Sequence, residues 1–158
     1  MAATIPGLST LGVLFGYAAE QTAGTKPAAF KLLERCNAIS GISIEPEQID
    51  ASALEDTVTK NVAGRSDTGG SFTATFNLTS ETQTELDTML SAFANRATGM
   101  SMWFEVYHPN MTDAYFIVAQ PPTVLPMPDY GQNELLTVEI PFVIQDFKGL
   151  DTAIIPTL

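Results

Sequence analysis

Residues 44–78 read IEPEQIDASALEDTVTKNVAGRSDTGGSFTATFNL, and the fold turns on how this stretch is parsed. Its last part is the clearest. After Gly69 and Gly70, Phe72, Ala74, Phe76 and Leu78 alternate with Thr73, Thr75 and Asn77, the period of two of a half-buried strand. Its first part is an extended run that ends at Ile49-Asp50. Between them, residues 51–68 are acidic and polar without periodicity, and they predict a long inter-strand loop. So long a connection without a core of its own is uncommon inside a compact domain unless it acts on something.

Residues 80–97 carry the one helical pattern. Leu86, Met89, Leu90, Phe93, Ala94 and Ala97 make a single apolar stripe. Ser80 suits the N-cap with Gln83 in the reciprocal position, Glu81 and Glu85 favour the positive end of the dipole, Arg96 favours the negative end, and Gly99 offers a stop. Strands are expected over residues 13–18, 101–107, 114–119 and 136–144, and a mixed segment at 30–40 fits a strand better than a short helix. The four prolines Pro121, Pro122, Pro126 and Pro128 exclude a central strand between the last two, and Pro141 predicts an edge or a bulge. Residues 1–10 and 149–158 look like terminal arms. The whole is expected to be one domain, 1–158: mainly β with one α-helix, a β-sandwich or barrel-like core with a flanking helix and a long loop.

The charge balance narrows the function classes. Eighteen acidic against seven basic residues give −11, so the chain repels phosphate and anionic membranes and lacks the basic surface of a nucleic-acid binder. No stretch reaches the roughly 18 apolar residues of a membrane span. The N-terminus has neither the basic residue nor the apolar run of a secretory signal. With Cys36 as the single cysteine, no intrachain disulfide forms, and a reducing cytoplasm is the simplest compartment.

Catalytic patterns are wanting. A Cys36–His108 pair is conceivable but sits in unsuitable contexts, and an incidental cysteine explains the residue better. Asp50, Glu55, Asp56 and Asp67 match no calcium-loop spacing, so no metal is expected. No phosphate-binding loop, dinucleotide fingerprint or nucleophile elbow occurs. No cofactor and no enzymatic activity are expected. Two alternatives stay open: a carbohydrate- or receptor-binding β-sandwich using Trp103, Tyr115 and Tyr130, and a small hydrolase using an acid pair from Asp50, Asp56 and Asp67.

The ordered combination of Glu45, Ile49, Asp50, Leu54, Glu55, Asp56, Gly64, Asp67 and Gly69, followed by an alternating strand and a helix, resembles the major tail tube protein of long, non-contractile (siphovirus-type) phage tails. The resemblance spans most of the chain, and the N-terminal third matches in outline. It implies a structural protein of the virion tail, assembled in the host cytoplasm. Copies would form six-membered rings that stack into a tube, with genome DNA passing through the lumen unbound at ejection. It also implies tape-measure, tail-terminator and tail-tip partners, and a fold shared with contractile-tail and type VI tubes. On this reading Ile49, Asp50, Leu54, Glu55, Asp56, Val58 and Asp67 lie on or support subunit contacts, and Ile154 and Ile155 dock on a neighbour.

Overall fold

A computed structural model describes residues 6–158. Residues 1–5 of the expected N-terminal arm lie outside the described residues. Nine strands and one helix follow in the order β1 (Leu14–Ala19), β2 (Lys31–Leu33), β3 (Cys36–Ile39), β4 (Glu45–Asp50), β5 (Asn61–Asp67), β6 (Ser71–Asn77), α1 (Ser80–Ala94), β7 (Met102–Tyr107), β8 (Asp113–Gln120) and β9 (Thr137–Thr152). Seven of them form one antiparallel sheet in the order β2-β1-β7-β8-β9-β6-β3, while β4 and β5 pair only with each other.

The long strand β9 makes the seven-stranded sheet into two layers. Its first half, Thr137 to Val143, pairs with β6, and its second half, Val143 to Thr152, pairs with β8, with register shifts along the way. The strand bends between its two partners, as bulged strands do, and the β6 layer folds over the β1-β7-β8 layer. Aromatic rings mark the closure. Phe15 on β1 lies 6.4 Å from Phe72 and 6.0 Å from Phe76 of β6, although β1 and β6 are not neighbours in the sheet. Phe142 of β9 stacks on Phe72 at 4.9 Å and meets Phe104 of β7 edge-on at 4.7 Å. The alternation of Phe72, Ala74 and Phe76 on β6 against Val138, Ile140 and Phe142 on β9 supplies one wall of this core.

Helix α1 closes one side by burying Leu86, Met89 and Leu90. It is capped by Thr79, one residue before the expected Ser80: Thr79 Oγ1 accepts the Thr82 N–H at 3.2 Å. The helix ends at Ala94, three residues short of the apolar stripe. Ala94 and Ala97 face solvent, and Arg96 lies just beyond the end. Its guanidinium still reaches back, donating to Phe93 O at 2.8 Å and lying over the Phe93 ring at 4.0 Å.

Three other expectations are revised. The 51–68 loop is shorter than its composition suggested, because residues 61–67 are strand β5. Polar residues suffice there, since a hairpin with both faces in water needs no apolar alternation to keep its ladder. The C-terminal arm begins at 153 rather than 149, because β9 runs on to Thr152 alongside β8. The mixed segment 30–40 splits into β2 and β3 about Arg35, whose φ of 61° turns the chain. Pro141 sits in an inner strand, but β8 stops pairing at Val143, so at Pro141 β9 has β6 alone as a neighbour. A missing N–H is tolerated at such a local edge.

Candidate functional site: an uncovered hairpin

The β4–β5 hairpin is an excursion from a closed fold. Its two ends leave and re-enter side by side: β3 pairs with β6, Ser40 N–H donates to Thr73 O at 2.9 Å, and Ser40 Oγ accepts the Thr73 N–H at 2.8 Å. On the return, Gly69 and Gly70 adopt φ of 82° and 83°, a conformation glycine takes without the Cβ clash of other residues. Everything between stands out. From Ser43 to Asp67, every residue except Asp56 and Gly64 is exposed.

Two-stranded hairpins are at best marginally stable alone in water, so local chemistry must hold this one. Its ladder runs from Glu45 opposite Asp67 to Asp50 opposite Asn61. Ile49 pairs with Val62, and its side chain reaches over Gly64, where any Cβ would stand 2.9 Å from Ile49 Cδ1. Gly64 is therefore the seat of the Ile49 side chain.

The tip, residues 51–60, is organised by the acidic residues. Asp50 Oδ1 accepts the Ser52 N–H at 2.9 Å, and Ser52 Oγ accepts the Lys60 N–H at 2.7 Å. Asp56 Oδ2 accepts the Ala53 N–H at 2.7 Å, and Asp56 Oδ1 meets Lys60 Nζ at 2.8 Å. Asp67 Oδ1 accepts the Gly69 N–H at 2.9 Å. The hydrogen bonds from Ser52 hold the Asp50 carboxyl below its ordinary range, and Lys60 followed by the Ala53 N–H does the same for Asp56.

The carboxylates thus brace turns and hold apolar residues out. Leu54 is fully exposed and Val58 is 73% exposed, with Ile49 and Val62 about half exposed along the strands. A rigid tip presenting large aliphatic side chains to water fits a surface made to be covered by another molecule. Of the residues singled out in the sequence, Ile49, Asp50, Leu54, Glu55, Asp56, Val58 and Asp67 fall together on this one hairpin. Ile154 and Ile155 do not join them. Ile154 packs half-buried against its own chain, and Ile155 is 62% exposed.

An open groove of ≈ 490 Å³ lies at the hairpin's root, lined by Ile39, Ile42 and Ile44 of the departing chain and by Val106, Ile117 and Phe147 of the body. No local pattern announces it, because its lining comes from five separate segments.

Of the acid-pair candidates, Asp50, Asp56 and Asp67 each accept a backbone N–H in a turn of their own, from Ser52, Ala53 and Gly69. Cys36 and His108 do not meet in a dyad: Cys36 Sγ lies 3.7 Å from Ala38 O and burial lifts its thiol to about 11, while the His108 ring contacts Ser9 O and the Asn110 N–H. Among the described residues no group of three His, Cys, Asp or Glu is placed to hold a metal ion. The glycan-binding alternative loses Trp103, which is buried with its Nε1 donating to Glu20 Oε1 at 2.8 Å. Both faces of β7 are covered along its first four residues, so Trp103 is not available at the surface.

No family model and no curated protein matches the sequence. Solved structures do share the fold. A chain of the anti-feeding prophage (AFP) baseplate, solved with six-fold symmetry, superposes with a TM-score of 0.55 at 14% identity, covering 92% of this chain and 96% of that one. A chain of the tail of an empty GTA particle, refined with C6 symmetry, gives 0.55 at 14% identity over 90% and 96%. A chain of the PVC extracellular contractile injection system, from its sheath-tube complex in the extended state, gives 0.53 at 14% identity over 88% of each. The match runs nearly end to end on chains of similar length, so the two-layer sheet and helix form one shared architecture.

Proposed function

We propose that this chain is a non-enzymatic structural component of a phage-type tail, one that assembles into six-membered rings stacked as a tube for DNA passage. The observation that carries the reading is the hairpin: a braced two-stranded sheet with Leu54 and Val58 in water and nothing among the described residues to cover them. Its support comes from the company the fold keeps, since the related chains belong to a baseplate, a tail and a sheath-tube complex, two of them described with six-fold symmetry. The contacts are heterologous, one surface against a different one, which closes into a ring by rotation or continues as a filament by stacking. The tip residues Leu54, Glu55, Asp56 and Val58 engage a neighbouring copy, Ile49, Asp50 and Asp67 hold the hairpin in shape, and Ile155 adds contact from the C-terminal arm. The finer assignment to the tube of a long non-contractile tail rests on the residue pattern from Glu45 to Gly69. Its tape-measure, terminator and tip partners follow from that assignment, as does its place in the virion. The net charge of −11 suits a conduit that DNA slides through without sticking.

The test is electron microscopy of the purified chain at high concentration, beside a variant in which residues 45–67 are replaced by a short Gly-Ser turn. Rings or tubes from the first and a folded monomer from the second support the reading. Equal assembly by both sinks it.

A further inference from the structure

The second face of the β1-β7-β8 layer holds a group that the assembly reading does not use. Glu105 sits in the middle of β7, completely buried, with Gly16 of β1 on one side and Phe116 of β8 on the other. Its Oε2 accepts the Ile154 N–H at 2.9 Å, and its Oε1 is buried without any hydrogen-bond partner. An unpaired buried carboxylate oxygen costs free energy whenever the group is charged.

What buries Glu105 is the C-terminal segment. Ala153 N–H donates to Thr112 O at 3.1 Å, Ile154 packs on the cluster of Phe30, Trp103 and Phe116, and Thr157 bridges Phe30 and Leu32 through bonds of 3.1 and 2.8 Å. Pro156 lies directly on Gly16, where an added Cβ would stand 3.0 Å from its ring. The segment is a strap fastened at three points, and its middle fastening is a carboxylate.

We propose that residues 153–157 form a pH-sensitive strap whose closure over this face is governed by the protonation of Glu105. The charged groups around it are few. Lys26, from the loop before β2, stands 4.1 Å from the Phe116 ring centre and donates to Thr152 O at 2.7 Å, with Asp151 at 3.4 Å. Glu20 is engaged with Trp103 and the Gly24 and Ser101 N–H groups, and Lys148 lies over Trp103 beside Asp146. Residues 153–157 carry no titratable side chain. Burial lifts the Glu105 carboxyl above its ordinary value, against the smaller opposing effects of the Ile154 N–H and Lys26. Opening the strap returns the carboxyl to water and to its ordinary value. Closure is therefore at full strength below that value and weakens as pH rises through the lifted one. Opening frees the Glu105 carboxylate from the Ile154 N–H and removes Ile154 from the cluster it packs on.

The test is amide hydrogen exchange of the full-length chain from about pH 4.5 to about pH 8, corrected for intrinsic rates, where each unit of lift in the carboxyl gives about a tenfold change in the opening equilibrium. Ile154 and Thr157 are expected to lose protection several-fold as pH rises, while Phe104 in the core does not. In Glu105→Gln, which keeps an acceptor for Ile154 but cannot titrate, protection should be flat with pH and higher than wild type at the alkaline end. In Lys26→Met, the loss of the facing cation should move the transition to higher pH. Wild-type protection that is flat with pH, a pH dependence that persists in Glu105→Gln, or an unmoved transition in Lys26→Met would each overturn the proposal.

Discussion

Two buried carboxylates on the same face behave in opposite ways, and the difference lies in their partners. Burial pushes the Glu20 carboxyl up, but donors from Trp103 Nε1, the Ser101 N–H and the Gly24 N–H outweigh it and hold the group below its ordinary range. Its contribution to stability is thus present above the unfolded-state value and is lost as pH falls through the lowered folded one. Replacing Glu20 by Ala strands the Trp103 N–H, a loss expected to cost about 2–3 kcal/mol at neutral pH. Urea unfolding at several pH values should show the gap between wild type and Glu20→Ala closing in acid. Phe142 is the matching test of the core. It touches Phe15, Phe72 and Phe104 and so spans both layers. Truncation to Ala should lower the unfolding free energy by about 3–5 kcal/mol in the same assay.

Among the elements, the hairpin is set apart by owing nothing to the body except its two roots. Exposed substitutions away from caps and buried networks change stability little. Leu54→Glu together with Val58→Glu should therefore leave thermal unfolding within about 0.5 kcal/mol of wild type while blocking assembly measured by light scattering. The elements with a regular apolar repeat were legible in the sequence: β6, α1 and β7 follow the alternation of Phe72, Ala74 and Phe76, the Leu86–Met89–Leu90 spacing, and the run from Met102. Strand β5 was not, because NVAGRSD has no apolar face to repeat and its partner is another exposed strand. The burial of Trp103 and Glu105 was hidden for the reverse reason. Alternation marks which side chains share a face, but it cannot announce a second layer supplied by distant residues 153–157. The residues from Ile49 to Asp67 group together in sequence and in space because the chain puts them on one local hairpin.

At the scale of the molecule, a closed two-layer body carries one extended limb and a net charge of −11. Like charge on every copy opposes assembly, and salt screens it over about 8 Å at physiological ionic strength. Ring formation followed by light scattering should accordingly speed up with added salt, whereas an assembly held by surface ion pairs would slow. Whether copies join through the hairpin is decided by a cryo-electron microscopy reconstruction of the assembled chain. Six-fold rings are expected, with Leu54 and Val58 buried against the neighbouring copy. A chain that stays monomeric at every concentration, or rings in which residues 51–60 stand free in solvent, would overturn the proposed role of the hairpin.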